Sequence, residues 1–121
     1  NYGWPDIQVC GREDPRFVAP VLCSGSQTWA PSGIAFLRGD VPEDVLGQLF
    51  VAGLRGMFLR QFDVGGDGSS RVILDASYGR LRAVTPGPDG TLYVSTSNRD
   101  GRGQVRPGDD RILKITFGPK D

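Results

Sequence analysis

The chain has 121 residues, with 18 glycines, 9 prolines and an apolar fraction of 38%; the apolar residues come in short runs, the profile of an all-β chain with many tight turns, and no long helix is encoded. Fourteen basic residues balance fourteen acidic ones, so no overall field draws the chain to nucleic acid or an anionic membrane, and any anion site must be local. Histidine is absent, which removes the commonest general base and metal ligand and weighs against a self-contained hydrolase or zinc site.

No apolar run approaches the roughly 20 residues that span a bilayer, and with neither an initiator Met nor a signal sequence the chain reads as beginning inside a longer protein. Residues 1–32 carry both cysteines and both tryptophans but few strand-like runs. So long a loop in a compact domain is functional or disordered, and Tyr2, Trp4 and Trp29 argue against disorder. Trp4 and Tyr2 are expected to pack this segment onto the sheet behind it. Cys10 and Cys23 flank a loop rich in Pro and Arg at a separation a disulfide can close, free buried thiols being the alternative. A disulfide implies a periplasmic or extracellular compartment.

From Gly33 onward, strand-length apolar segments alternate with turn chemistry. Gly33-Ile34-Ala35-Phe36-Leu37 comes first, and Gln48-Leu49-Phe50-Val51-Ala52-Gly53 follows a loop holding Pro42. Met57-Phe58-Leu59-Arg60-Gln61-Phe62 then leads into Val64-Gly65-Gly66-Asp67-Gly68, where glycine and Asp supply the positive φ of a hairpin turn. Asp63 and Asp67 belong to that turn, since the segment is too short for an EF-hand and lacks its terminal Glu. Arg71-Val72-Ile73-Leu74 completes a four-stranded meander.

A second unit starts at Leu81-Arg82-Ala83-Val84, turns at Pro86-Gly87-Pro88-Asp89-Gly90, continues through Thr91-Leu92-Tyr93-Val94-Ser95-Thr96 and ends with Ile112-Leu113-Lys114-Ile115-Thr116-Phe117. Gly47-Gln48-Leu49-Phe50-Val51-Ala52 matches Gly90-Thr91-Leu92-Tyr93-Val94-Ser95, and Met57-Phe58-Leu59-Arg60 matches Arg111-Ile112-Leu113-Lys114, a repeat of about 40 to 55 residues, the length of a propeller blade. The expected architecture is all-β: about two four-stranded antiparallel blades of a six-bladed β-propeller. Residues 1–32 are an inter-blade loop segment, 33–78 one four-stranded blade, and 79–121 the last blade, with three strands. Two blades alone would leave apolar faces and sheet edges exposed, so the remaining blades, or further copies of the chain, are the expected partners. A small β-sandwich fits the strand count but does not require the repeat.

With the repeat set aside, the segments Asn1-Tyr2-Gly3-Trp4-Pro5, Ala30-Pro31-Ser32-Gly33, Gly79-Arg80-Leu81-Arg82 and Pro88-Asp89-Gly90 stand out. Gly101-Arg102-Gly103 and Pro107-Gly108-Asp109-Asp110-Arg111-Ile112-Leu113 follow them in order. In order and spacing these segments resemble the C-terminal third of the soluble quinoprotein glucose and aldose (sorbosone-type) dehydrogenases. The resemblance implies a six-bladed propeller that holds pyrroloquinoline quinone (PQQ) with calcium in a cleft and oxidises the C1 hydroxyl of an aldose sugar to a lactone.

PQQ is a flat tricarboxylate, so its site needs cations and a planar neighbour. Arg80 and Arg82 match the family's Arg-x-Arg pair, and residues two apart on a strand share a face, so both guanidiniums can reach one ligand. Arg55 falls at or beside a cofactor-binding lysine of the family, and Thr28 matches a threonine near the cofactor. A solvated or ion-paired surface is the alternative reading of the three arginines. The family often has a tryptophan against the quinone where this chain has Ser26. Either Trp29 takes that role after a register shift in the loop, or PQQ binds weakly or not at all.

Asn98, Asp100, Asp109 and Asp110 sit in a Gly-rich loop, where they either border the cleft or cap turns, and turn capping is the preferred reading. The resemblance places the catalytic base, a histidine, and most calcium ligands in earlier blades, so no catalytic or metal-binding residue is assigned here and the chain alone is expected to be inactive. The competing functions are a non-catalytic secreted propeller that binds a protein or glycan partner, and a propeller lactonase, which needs axial metal-binding carboxylates not seen in this sequence.

Overall fold

A computed structural model describes residues 1–6, 11–12 and 14–118. Seven strands and one short 3-10 helix account for its regular structure. Strands β1 (Pro31–Phe36), β2 (Leu49–Gly53), β3 (Phe58–Phe62) and β4 (Ser70–Leu74) form one antiparallel sheet in chain order. Strands β5 (Leu81–Pro86), β6 (Leu92–Thr96) and β7 (Ile112–Ile115) form a second, also in chain order. Each expected strand is present, and the fold is all-β with two antiparallel sheets.

The turns follow their residues. At the β3–β4 hairpin, Gly68 adopts φ 74 and donates its N–H to the Asp63 carbonyl at 3.0 Å, while the Asp67 carboxylate accepts from the Ser69 N–H at 2.8 Å. Asp63 and Asp67 are therefore turn residues, as their spacing suggests. The repeat is visible in the backbone as well. Gly47 and Gly90 both take φ 72 ahead of β2 and β6, and these two strands are the second members of their sheets. One element has no counterpart among the expected ones. Residues Ala76–Tyr78 form a 3-10 turn whose start is capped by the Asp75 side chain on the Ser77 N–H, a local Asx contact with no periodic signal.

The sheets share one core. Leu37, Val45, Phe50, Ala52 and Leu59 from the first unit pack with Leu81, Val84, Leu92 and Val94 from the second. Removing a side chain such as Phe50 from water stabilises by about 1.5–3 kcal/mol, so the core joins the sheets as well as each sheet to itself. Strand β5 packs against β1 and β2, and Gly33 sets how closely. A Cβ there would lie 2.7 Å from the Val84 nitrogen and 2.9 Å from the Arg82 carbonyl oxygen, inside the contact distance of any side-chain carbon. This approach brings Arg82 beside the end of the first sheet.

Apolar side chains stay exposed on the outer strands, among them Ile34 and Phe36 on β1, Val72 on β4 and Ile112 on β7, and the Tyr2 and Trp4 rings are exposed as well rather than packed onto the sheet as expected. No helix is long and apolar enough to cross a membrane among the described residues.

Candidate cofactor groove

Four stretches meet at one end of the two sheets: the loop before β1, the β2–β3 turn, the entry to β5 and the β6–β7 loop. They enclose a groove of about 880 Å3 lined by Thr28, Ala30, Leu54, Arg55, Met57, Arg80, Arg82, Asp100, Arg102, Gly103 and Gln104. Four arginines and a single acidic residue thus line it, in a chain whose net charge is zero.

Arg80 is fixed from both ends. Its N–H donates to the Asn98 side-chain carbonyl at 2.9 Å, and its own carbonyl accepts from the Ser97 N–H at 2.8 Å. Its side chain, 12% exposed, donates through Nε to Asp100 Oδ2 at 2.9 Å and through Nη1 to the Leu54 carbonyl at 3.4 Å. Arg82 donates through Nε to Ser97 Oγ at 2.9 Å and through Nη2 to the same Asp100 oxygen at 3.2 Å, and remains half exposed. The two-residue spacing therefore does bring both side chains to one carboxylate, although Arg80 precedes β5 and the pairing register shifts between Leu81 and Ala83.

Asp100 explains part of this order. Its Oδ1 accepts from the Arg102 N–H at 2.9 Å, as a turn cap should. Its Oδ2 holds both arginines and also accepts from Ser97 Oγ at 3.3 Å. The Arg102 N–H, followed by Arg80 and Ser97, holds its carboxyl at about 2, below the ordinary 3.8. Turn capping is therefore only half of what Asp100 does, because the loop that it caps folds back onto the arginines. Asn98 is likewise more than a cap. It is 1% exposed and donates through Nδ2 to the Tyr78 carbonyl and the Asp109 carboxylate, both at 3.0 Å. Asp110 accepts from the Asn98 N–H at 2.6 Å and from Thr96 Oγ1 at 3.1 Å.

Arg55 projects from the β2–β3 turn into the groove and is exposed, as is Thr28 on the facing loop. Two backbone bonds join turn and loop: the Leu54 N–H donates to the Ala30 carbonyl and the Gly56 N–H to the Trp29 carbonyl, each at 3.0 Å. Ala30 (φ 45) and Met57 (φ 52) are the non-glycine residues with positive φ among those described, and both line this groove. Left-handed backbone at such residues costs on the order of 1 kcal/mol and clusters at functional sites.

Trp29 takes a different position from the one expected of it. Its ring meets Phe58 edge-on at 5.3 Å and Phe62 at 6.0 Å, the Arg60 guanidinium lies 5.1 Å from its centroid, and its Nε1 donates to Gln27 at 3.1 Å. These contacts seat it in a neighbouring groove with Gln27, Phe58, Arg60 and Asp75, and not with the arginine pair. Phe58 and Phe62 on β3 offer it an apolar surface, which the charged groove does not. Ser26 is exposed. Of the expected disulfide pair, Cys10 lies outside the described residues, and Cys23 is not a free thiol. Among the described residues, no three His, Cys, Asp or Glu side chains gather as metal ligands do.

Arg102 and Gln104 have no assigned role in the sequence, although Gly101-Arg102-Gly103 stands out there; a loop returning over a pair of residues some 20 positions earlier has no local spacing signal, so only the fold could reveal them. Taken together, the groove belongs to an all-β protein with a cationic cleft suited to a polyanionic ligand.

The chain belongs to the glucose/sorbosone dehydrogenase family, which it matches over residues 1–113. It is 45% identical to an oxidoreductase (glucose dehydrogenase) of Thermus thermophilus, with a TM-score of 0.77 over 96% of this chain and 33% of that one. It is 39% identical to the aldose sugar dehydrogenase of Streptomyces coelicolor in its PQQ-bound form, with a TM-score of 0.78 over 95% of this chain and 33% of that one. Aldose sugar dehydrogenase YliI of Escherichia coli K12 is 31% identical over 84% of this chain and 31% of its own length. The chain thus spans about a third of the relatives it matches.

Proposed function

We propose that this chain forms part of the cofactor wall of a PQQ-dependent aldose dehydrogenase built as a six-bladed propeller, which oxidises the sugar C1 hydroxyl to a lactone. The observation that carries the proposal is the convergence of Arg55, Arg80, Arg82 and Arg102 on one groove. Four guanidiniums against one carboxylate suit a tricarboxylate, and the groove's volume of about 880 Å3 falls within the range of small-molecule sites, roughly 300–1,000 Å3.

In this reading Arg80, Arg82 and Arg55 bind carboxylates of PQQ, and the Thr28 hydroxyl hydrogen-bonds its edge. When bound, PQQ would supply the two-electron acceptor for the sugar. Asp100 orients the arginines and is a poor proton acceptor, because its carboxyl is held at about 2. The chain has no histidine, so the base that removes the hydroxyl proton, and calcium with most of its ligands, belong to the remaining blades. A disulfide at Cys23 supports a periplasmic or extracellular location.

The test is a titration of the whole protein with PQQ in the presence of calcium and an aldose. Spectral reduction of the quinone is expected, and its absence would overturn the proposal. The placement of Trp29 in the neighbouring groove and the exposed Ser26 favour a second reading, a secreted propeller that has lost its cofactor and binds a protein or glycan. That reading predicts no PQQ binding at all.

A further inference from the structure

We infer that Met57 supplies the apolar surface on which the flat ring system of the cofactor lies, in place of an aromatic side chain; this rests on the PQQ reading above. A planar ring whose carboxylates are held by arginines still needs one face shielded from water. No aromatic residue lines the arginine groove among the described residues, and its apolar side chains are Ala30, Leu54 and Met57. Met57 is the longest and most polarisable of the three, and a thioether makes favourable contacts with aromatic rings.

The backbone holds it ready. Met57 is half-buried and sits at φ 52, a conformation unfavourable for a residue with a Cβ. It persists because the turn carrying Met57 is bonded to the Trp29–Ala30 backbone through Leu54 and Gly56, each at 3.0 Å. Gly56 admits no side chain in this arrangement, since a Cβ there would overlap the Phe58 ring. Phe58 in turn packs on Trp29. Trp29 thus acts behind the wall, and Met57 forms the wall itself, bordering both grooves.

Met57 is the single methionine of this chain, and in the whole protein its methyl signal is identified by substitution. Its methyl group is isotope-labelled in the whole protein, its NMR signal assigned by its loss in Met57→Leu, and PQQ titrated in while binding is followed separately by fluorescence. The expected result is a ring-current displacement of that signal that saturates with the binding curve. In addition, Met57→Ala should bind PQQ about three- to tenfold more weakly, and Met57→Leu less so, because leucine keeps the bulk but loses the sulfur. PQQ bound to the wild type with an unmoved methyl signal would overturn the inference while leaving the PQQ reading intact. Failure of the wild type to bind PQQ would overturn both. If Met57→Ala does not fold, the methyl shift and Met57→Leu still decide.

Discussion

Arg80 and Asp100, 20 positions apart in the chain, meet at 2.9 Å with both side chains largely enclosed. That pair, shared with Arg82 through the same carboxylate oxygen, turns three separate loop and strand positions into one prearranged cationic surface. A guanidinium already held in place loses less entropy when a ligand arrives.

The Asp100 carboxyl is held at about 2 against an ordinary 3.8. Because the folded-state value is the lower one, its contribution to stability is complete above about pH 4 and is lost as pH falls from there towards 2. Acid unfolding of the wild type and of Asp100→Asn should therefore show a stability gap at pH 6 that closes by pH 2. A gap that does not change with pH would contradict the ionised pair.

Arg80→Ala should weaken PQQ binding by about ten- to a hundredfold, the range of one to two charge-assisted hydrogen bonds. Arg80→Lys keeps the charge but not the fork that spans Asp100 and the Leu54 carbonyl, and should recover only part of the loss. Fluorescence titration of the whole protein reads both variants.

Gly33→Ala should open the contact between β1 and β5, because the new Cβ meets the Val84 nitrogen at 2.7 Å. Overpacking of this kind costs about 1–3 kcal/mol, and denaturant unfolding measures it. Since Arg82 lies at the same contact, PQQ affinity should fall together with stability.

Asn98→Ala removes the acceptor for the Arg80 N–H and the donor to the Tyr78 carbonyl. Leaving these half-buried groups unpaired should cost about 1–3 kcal/mol in unfolding free energy. Asn98→Asp is expected to be no better, because it sets a second carboxylate against Asp109.

Trp29→Ala should destabilise by about 1–3 kcal/mol through lost contacts with Phe58, Phe62 and Arg60, yet change PQQ affinity by no more than about twofold, since its ring lies outside the arginine groove. Paired unfolding and binding curves separate these effects. A large loss of affinity with little loss of stability would return Trp29 to the cofactor.

The all-β class, the seven strands and their hairpin order were legible in the sequence, because alternating apolar runs and glycine-bearing turns such as Val64–Gly68 are local signals. Arg80 and Arg82 do reach one carboxylate, as their two-residue spacing suggests, but Arg80 precedes β5 and the register shifts between Leu81 and Ala83, so regular strand alternation does not account for it. What surrounds them was not legible. Asp100, Arg102 and Gln104 reach the groove only because the β6–β7 loop folds back over the β5 entry, and contacts between residues so far apart in sequence leave no periodic trace. The same holds for Trp29, which only the family resemblance, with a register shift in the loop, associates with a cofactor. Its actual place was decided by Phe58 and Phe62, whose apolar rings on β3 provide a better environment for an indole than a groove lined with guanidiniums.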